Sequence, residues 1–127
     1  RMKIYTSYYG NLKNLPNDIK KISISTTIPK RIVCDSYAPA APPPEILKKY
    51  KQNEINEQEY EQEYMQHLNT LDAQKVIHHL RKLARNKDIV LLCYEKSEDF
   101  CHRHIFIKWL KEVCNMQIQI CGEFSQI

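Results

Sequence analysis

The stretch Ile89-Val90-Leu91-Leu92-Cys93-Tyr94-Glu95 decides how this chain folds, and a short polar loop separates it from Phe100-Cys101-His102-Arg103-His104. A short apolar run bounded by polar residues is typical of a strand buried on both faces of a parallel sheet. The second stretch has the pattern of a helix start, and we expect that helix to continue to about Cys114. A buried strand followed by a helix is the unit from which α/β domains are built.

Segments with the composition of strands and helices alternate over the rest of the chain. Further strands are predicted at Met2–Tyr8, at 22–25 and at 117–121. Helices are predicted over 45–52 and 56–68, and from Asp72, whose side chain suits an N-cap. This order predicts a single three-layer α/β domain over residues 1–127, with a mainly parallel central sheet and helices on both faces.

Two smaller expectations concern the third helix and one loop. The helical period places four residues of the third helix on its inner face: Val76, His79, Leu80 and Leu83. Residues 34–44 contain four prolines, which a helix interior or a central strand does not accommodate. This segment is therefore predicted to be a rigid, proline-rich loop.

Length and composition favour a small globular protein. The chain has 127 residues, a formal net charge of +4 and five cysteines. An odd number of dispersed cysteines favours reduced thiols and a cytoplasmic protein over a disulfide framework. Arg1 precedes Met2, so we expect Met2 to be the natural start and Arg1 to be a residue left by cloning.

The same composition argues against several partners. No apolar run reaches the roughly 18 residues of a membrane span, so no membrane partner is predicted. The basic residues are dispersed and form no known motif, which does not favour a nucleic-acid partner. With Gly10 and Gly122 as its two glycines, the chain has no glycine-rich phosphate loop.

The strand end and the helix start carry the candidate chemistry. In a parallel sheet, ligands bind at the carboxyl ends of strands, where the following helices begin. Cys93 and Glu95 lie at such a strand end, and a cap by Ser97 or Asp99 would put Cys101-His102-Arg103 in the first helical turn. A helix N-terminus attracts anions and favours the ionised form of a thiol, so this edge predicts anion binding or thiol chemistry.

These side chains also have structural explanations. Cys93, in an apolar strand, can be a small core residue, and His102 can be a hydrogen-bonded structural histidine. Arg103 is predicted to begin the outer side of the helix, where it can pair with Glu95 or Glu98 or curl over the mouth of the pocket.

Metal binding and disulfide formation can be considered from the spacing. Cys93, Cys101, His102 and His104 would supply enough ligands for zinc. Seven residues separate the two cysteines, which matches no pattern of paired cysteines, so no metal ligands and no cofactor are predicted. A redox disulfide between Cys93 and Cys101 is geometrically feasible.

Four segments carry a resemblance to a known family: 2–13, 22–25, 91–95 and 100–103. In this order, and over nearly the whole chain, they resemble the bacterial and phage family catalogued as domain of unknown function 488. Tyr37-Ala38-Pro39 resembles the family's Leu-Ala-Pro element, with tyrosine in place of leucine, and the proline-rich insert after it departs further. The resemblance implies a compact α/β domain with the Cys-His-Arg element at a shared pocket. It also adds a strand end whose hydroxyls and flexible glycine suit phosphate or sugar groups: Thr6, Ser7, Tyr8, Tyr9 and Gly10.

Three hypotheses about function follow. The first is a site for a small anionic or nucleotide-like ligand, formed by Thr6, Ser7, Tyr8, Gly10, Cys93, Glu95 and Arg103. The second is a thiol-dependent enzyme in which Cys101 is the nucleophile and His102 its acid or base. The third is a protein- or nucleic-acid-interaction module that uses the basic helices and the proline-rich loop. Ligand binding is ranked first and the thiol enzyme second.

Overall fold

The computed structural model describes residues 1–114 and 118–125, which form an α/β domain around a five-stranded sheet. The strands are β1 (Met2–Tyr8), β2 (Lys20–Ser23), β3 (Asp35–Ser36), β4 (Ile89–Cys93) and β5 (Ile118–Glu123). The helices are α1 (Pro44–Lys51), α2 (Glu57–Asn69), α3 (Ala73–Ala84) and α4 (His102–Val113). Two 3-10 helices span Tyr9–Asn14 and Ala38–Ala40. The strand order is β3-β2-β4-β1-β5 and every paired neighbour is parallel, which confirms the predicted class.

Strand β4 is the centre of the sheet. It pairs with β1 on one side and with β2 on the other, and all five of its residues are fully buried. Ile89 and Leu91 belong to the core on one face, whereas Val90 and Leu92 belong to the core on the opposite face. The apolar run therefore has the buried central position that its lack of alternation predicts.

The two faces of the sheet are covered differently. All four α-helices contribute to the core that contains Leu91, whereas the 3-10 helix Tyr9–Asn14 and the segment after it cover Val90 and Leu92. The connections after β1 and β2 cross the sheet in one direction, and those after β3 and β4 cross it in the other. Right-handed crossovers in opposite directions lie on opposite faces, which explains why the α-helices share one side.

Side chains cap the starts of α2 and α3. The Asp72 side chain accepts hydrogen bonds from the backbone amides of Gln74 and Lys75, so the predicted cap of α3 is confirmed. Asn56 and Glu59 form a reciprocal capping box at the start of α2. None of the helices in the described part of the chain is both long and apolar enough to cross a membrane.

Several boundaries differ from the sequence prediction. His79 is exposed and Ile77 is buried in its place. The buried face of α3 is therefore rotated about the helix axis relative to the predicted inner face. The predicted loop 34–44 contains β3 and the 3-10 helix Ala38–Ala40. The sequence did not predict β3, because a strand of two residues is too short to show an alternating hydrophobic pattern. The predicted start of the last strand, Gln117, lies outside the described residues.

Truncation of the central strand tests this arrangement. Leu91→Ala is expected to lower the free energy of unfolding by about 2–5 kcal/mol, because it opens a cavity in the middle of the larger core. The matched control is Val33→Ala, since Val33 is 98% exposed and its removal is expected to change stability by less than about 0.5 kcal/mol. Urea unfolding of both variants measures the difference, and equal effects would contradict the central placement of β4.

Candidate functional site

The carboxyl ends of β1, β4 and β5 and the start of α4 meet at one edge of the sheet. Thr6 is paired in register with Leu91 on one side and with Glu123 on the other. Because parallel strands end at the same edge, side chains from distant parts of the chain come together there. Arg103, at the start of α4, contacts residues from both β4 and β5.

Helix α4 starts two positions later than a cap by Asp99 would place it, and four positions later than a cap by Ser97. Cys101 is the N-cap residue, with extended backbone at φ −154° and ψ 143°, and no side chain caps the helix. Ser97 instead donates a hydrogen bond to Glu123 Oε2 at 2.5 Å. The capping prediction is therefore wrong, and the first helical residue is His102.

Arg103 is fully buried, and its position corrects the prediction that it begins the outer side of α4. Its guanidinium donates to both carboxylate oxygens of Glu123, at 2.8 and 3.3 Å. It also donates to Cys93 Sγ at 3.0 Å and to the backbone carbonyl of Glu95 at 2.7 Å. Ile107, one turn further on, is buried as well, so α4 has no outer face at this position. The ion-pair partner is Glu123, and the Glu95 side chain is exposed.

Glu123 is the residue that sequence reasoning missed. Thr6 Oγ1 donates to its Oε1 at 2.6 Å, in addition to the contacts from Arg103 and Ser97. Burial raises the pKa of this carboxyl, but the hydrogen bonds from Arg103, Ser97 and Thr6 outweigh burial and lower the pKa to about 2. The carboxylate is therefore ionised over the whole physiological range.

A β-bulge in β5 explains how Glu123 reaches this position. The register pairs Ile4 with Ile120 but Tyr5 with Gly122, so β5 contains one extra residue, and Gly122 has a φ of 75°. A bulge moves each side chain that follows it to the opposite face of the sheet. Glu123 therefore lies on the α4 side of the sheet, beside Thr6. The available sequence signal was the strand-end rule already applied to β4, but the predicted last strand stopped at Cys121.

The sulfur atoms of Cys93 and Cys101 and the imidazole of His102 lie together beside Arg103. Cys93 and Cys101 are joined by a disulfide, the pairing described as feasible from the sequence, and their Cα atoms are 7.8 Å apart. His102 Nδ1 is 3.8 Å from Cys101 Sγ, and its Nε2 is 2.5 Å from the backbone carbonyl of Ile24. A carbonyl only accepts, so Nε2 carries the proton of the neutral ring. Burial lowers the pKa of His102 to about 4, and Nδ1 is therefore unprotonated at neutral pH.

A cavity of about 460 Å³ opens beside this cluster. Its lining combines hydroxyl, apolar, aromatic and charged groups: Ser25, Thr26, Thr27, Pro42, Leu47, Lys51, Tyr60, Cys93, Tyr94, Glu95 and His102. Tyr94 and Thr27 are joined by a hydrogen bond between their hydroxyl groups at 2.8 Å. The cavity therefore lies at the strand ends that the sequence indicated, and Cys93, Glu95 and His102 are among the predicted residues that line it.

The other predicted residues lie outside this lining. Thr6 and Ser7 are buried, and their hydroxyls are engaged with Glu123 and with the Asn11 side chain. A Cβ on Gly10 would be 3.2 Å from the ring of Tyr8, so Gly10 permits close packing of that ring. Arg103 and Cys101 lie behind the cavity wall. The role of these residues in ligand binding stays a prediction.

Sequence reasoning also missed part of the cavity wall. Ser25, Thr26 and Thr27 follow the carboxyl end of β2, so the strand-end rule could have identified them. Tyr60 was assigned to the core stripe of α2, and it is 3% exposed while also lining the cavity. Lys51 carried no signal, because it ends a helix whose lysines are otherwise typical of a solvated surface.

Comparison with known proteins gives one match. A family model described as "DUF488-N3a: Active DUF488-N3 subclade" matches residues 4–113. The matched residues include most of β1 and all of β4 and α4, although they end before Glu123. No curated protein and no solved structure matches the chain.

Acid titration tests the pairing of Arg103 with Glu123. The folded-state pKa of Glu123 is below its ordinary value, so this carboxylate stabilises the fold above about pH 5 and loses that contribution as the pH falls toward 2. We expect Glu123→Gln to lower the free energy of unfolding at pH 7 by about 2 kcal/mol, a value reduced for partial exposure of the carboxylate. Urea unfolding from pH 7 to pH 2 should show a weaker pH dependence in the variant than in the wild type. Glu98→Gln is the control, and identical pH profiles for Glu123→Gln and wild type would contradict the pairing.

Proposed function

Because this chain belongs to the active subclade of the DUF488-N3 family, we propose that its function lies at the strand-end cavity, where it binds a small anionic or nucleotide-like ligand. The observation that carries the proposal is the cavity itself. Its volume of about 460 Å³ falls within the roughly 300–1,000 Å³ typical of small-molecule sites. Its place at the carboxyl ends of parallel strands is where such folds bind ligands.

The lining supplies the contacts that such a ligand requires. Leu47 and Tyr60 give an apolar and aromatic wall against which a planar ring can pack. Thr26 and Thr27 offer hydroxyl groups, which can donate to phosphate or sugar oxygens. Lys51 is the cationic side chain of the lining, and the start of α4 beside His102 adds the partial positive charge of a helix N-terminus. Arg103 contacts Cys93 of this wall from the side away from the cavity, and its charge is balanced by Glu123.

Thermal unfolding with a ligand panel tests this proposal. Inorganic phosphate, nucleoside mono-, di- and triphosphates and sugar phosphates are each added to the full chain. A member that binds is expected to raise the melting temperature, since a ligand at 100 times its dissociation constant stabilises the folded state by about 2.7 kcal/mol. Lys51→Ala should reduce that shift.

The matched control is Lys48→Ala, because Lys48 lies on the same helix, is exposed and does not line the cavity. This control should keep the full shift. A panel in which no member raises the melting temperature would count against the proposal, as would equal losses in the Lys51→Ala and Lys48→Ala variants.

Thiol catalysis is the second candidate function, with Cys101 as nucleophile and His102 as its base. The supporting observation is the unprotonated Nδ1 of His102 at 3.8 Å from Cys101 Sγ, which is within reach of the thiol proton. The description of the matched subclade as active is in line with catalytic chemistry. This function requires reduced thiols and therefore a cytoplasmic location.

Alkylation kinetics test the second candidate. In the reduced, chelator-treated protein, iodoacetamide is expected to modify Cys101 faster than Cys34, as measured by peptide mass spectrometry. His102→Gln keeps a donor for the Ile24 carbonyl but removes the base, so it should slow this reaction by at least about tenfold near pH 7. A Cys101 thiol that reacts no faster than Cys34, which is half-buried and unpaired, would argue against a nucleophilic role.

A further inference from the structure

We propose that, once the Cys93–Cys101 disulfide is reduced to two thiols, Cys93, Cys101 and His102 together bind one divalent metal ion of the zinc type, whose fourth coordination position faces the strand-end cavity. Binding replaces the thiol protons with two metal–sulfur bonds and adds one bond from His102 Nδ1, and the protons pass to solvent. The inference goes beyond the proposed function, because the metal ion would bind without any small ligand.

The ligand atoms are already gathered for such an ion. Cys93 Sγ, Cys101 Sγ and a ring nitrogen of His102 all lie within 4.8 Å of one another, and all three side chains are buried. Zinc bonds of about 2.3 Å to sulfur and 2.0 Å to nitrogen place tetrahedral ligands about 3.5–3.8 Å apart. The separation of 3.8 Å between Cys101 Sγ and His102 Nδ1 is close to the sulfur-to-nitrogen value of about 3.5 Å.

The backbone positions of the two cysteines favour an ion over a direct bond between them. Their Cα atoms are 7.8 Å apart. Disulfides usually join Cα atoms about 4.4–6.8 Å apart, so this pair is wider than a disulfide requires. An ion between two thiolates holds their sulfur atoms further apart than a disulfide does, and the wider Cα separation leaves room for it.

The surrounding groups match those of known metal sites. Metal-bound histidines usually donate their second ring N–H to a carboxylate or a backbone carbonyl, and His102 Nε2 contacts the Ile24 carbonyl in this way. Arg103 donates to Cys93 Sγ at 3.0 Å, and such a hydrogen bond from a charged donor stabilises a ligating thiolate. Two thiolates balance a divalent ion, and Glu123 balances Arg103, so the buried cluster would carry no net charge.

The cavity gives the ion an entry path and an open position. Cys93 and His102 line the cavity, and Cys101 lies behind them. Three protein ligands with one open position are typical of catalytic zinc sites, whereas structural sites have four protein ligands. A bound ion occupies both sulfur atoms, so metal binding and a free Cys101 nucleophile exclude each other.

A cobalt titration tests the site. The full chain is reduced with a phosphine, passed over a chelating resin and titrated with Co²⁺. We expect one equivalent to bind, with sulfur-to-cobalt charge-transfer absorption in the near ultraviolet. Cys93→Ser, Cys101→Ser and His102→Gln should each weaken binding by at least the roughly 10–100-fold that loss of an outer partner costs. Cys34→Ser is the matched control and should bind as the wild type does.

Two results of this titration would overturn the proposal. One is a wild-type protein that binds less than one equivalent or shows no charge-transfer absorption. The other is a Cys101→Ser variant that binds Co²⁺ as tightly as the wild type. Because no small ligand is present, failure here leaves the proposed ligand-binding function standing.

A second measurement does not depend on the folding of any variant. In the reduced wild type, Zn²⁺ should protect Cys93 and Cys101 from iodoacetamide by at least about tenfold, and a chelator should remove the protection. Cys34 should react at the same rate in both states. Equal alkylation of Cys93 and Cys101 with and without Zn²⁺ would overturn the proposal.

Discussion

The ion pair between the buried Arg103 and the partly exposed Glu123 connects the start of α4 to the end of β5, and the arrangement of the whole sheet edge depends on it. Arg103 is fully buried, and a buried guanidinium is tolerated only when its charge and its donors are satisfied. Glu123 supplies the charge, and Cys93 Sγ and the Glu95 carbonyl accept the remaining hydrogen bonds described. These contacts fix the orientation of the first turn of α4, and therefore the positions of Cys101 and His102.

This constraint changes which residues are available for function. Arg103 is paired with Glu123 and is not part of the cavity lining, whereas Lys51 is a cationic side chain of that lining. The same arginine contacts Cys93, and it thereby links the ion pair to the thiol cluster. The site thus has two layers. An inner layer of charged and sulfur groups holds the geometry, and an outer layer of hydroxyl and aromatic groups lines the cavity.

The histidine and the bulged strand show how backbone contacts set side-chain chemistry. The Ile24 carbonyl fixes the tautomer of His102, which leaves Nδ1 as an acceptor toward Cys101. Ile24 lies beyond the end of β2, and its amide still bonds to Leu92 of β4, so the central sheet positions this carbonyl. At the other end of the site, the extra residue of β5 places Glu123 on the α4 side. Neither the His102–Ile24 hydrogen bond nor the bulge in β5 could be predicted from the local hydrophobic pattern of the sequence.

The sequence by itself determined the class of fold and the sheet edge at which the candidate site lies. An apolar run without alternation specifies a central strand, and the residues after it lie at the strand end whatever the rest of the chain does. Only the tertiary structure decided the partners. Arg103 pairs with a carboxylate 20 residues away, and that carboxylate is placed by strand order and by a bulge. Local periodicity predicted the wrong side for Arg103, because the side of α4 that carries Arg103 and Ile107 is buried as well. The charge of Arg103 is tolerated there because Glu123 of β5 pairs with it.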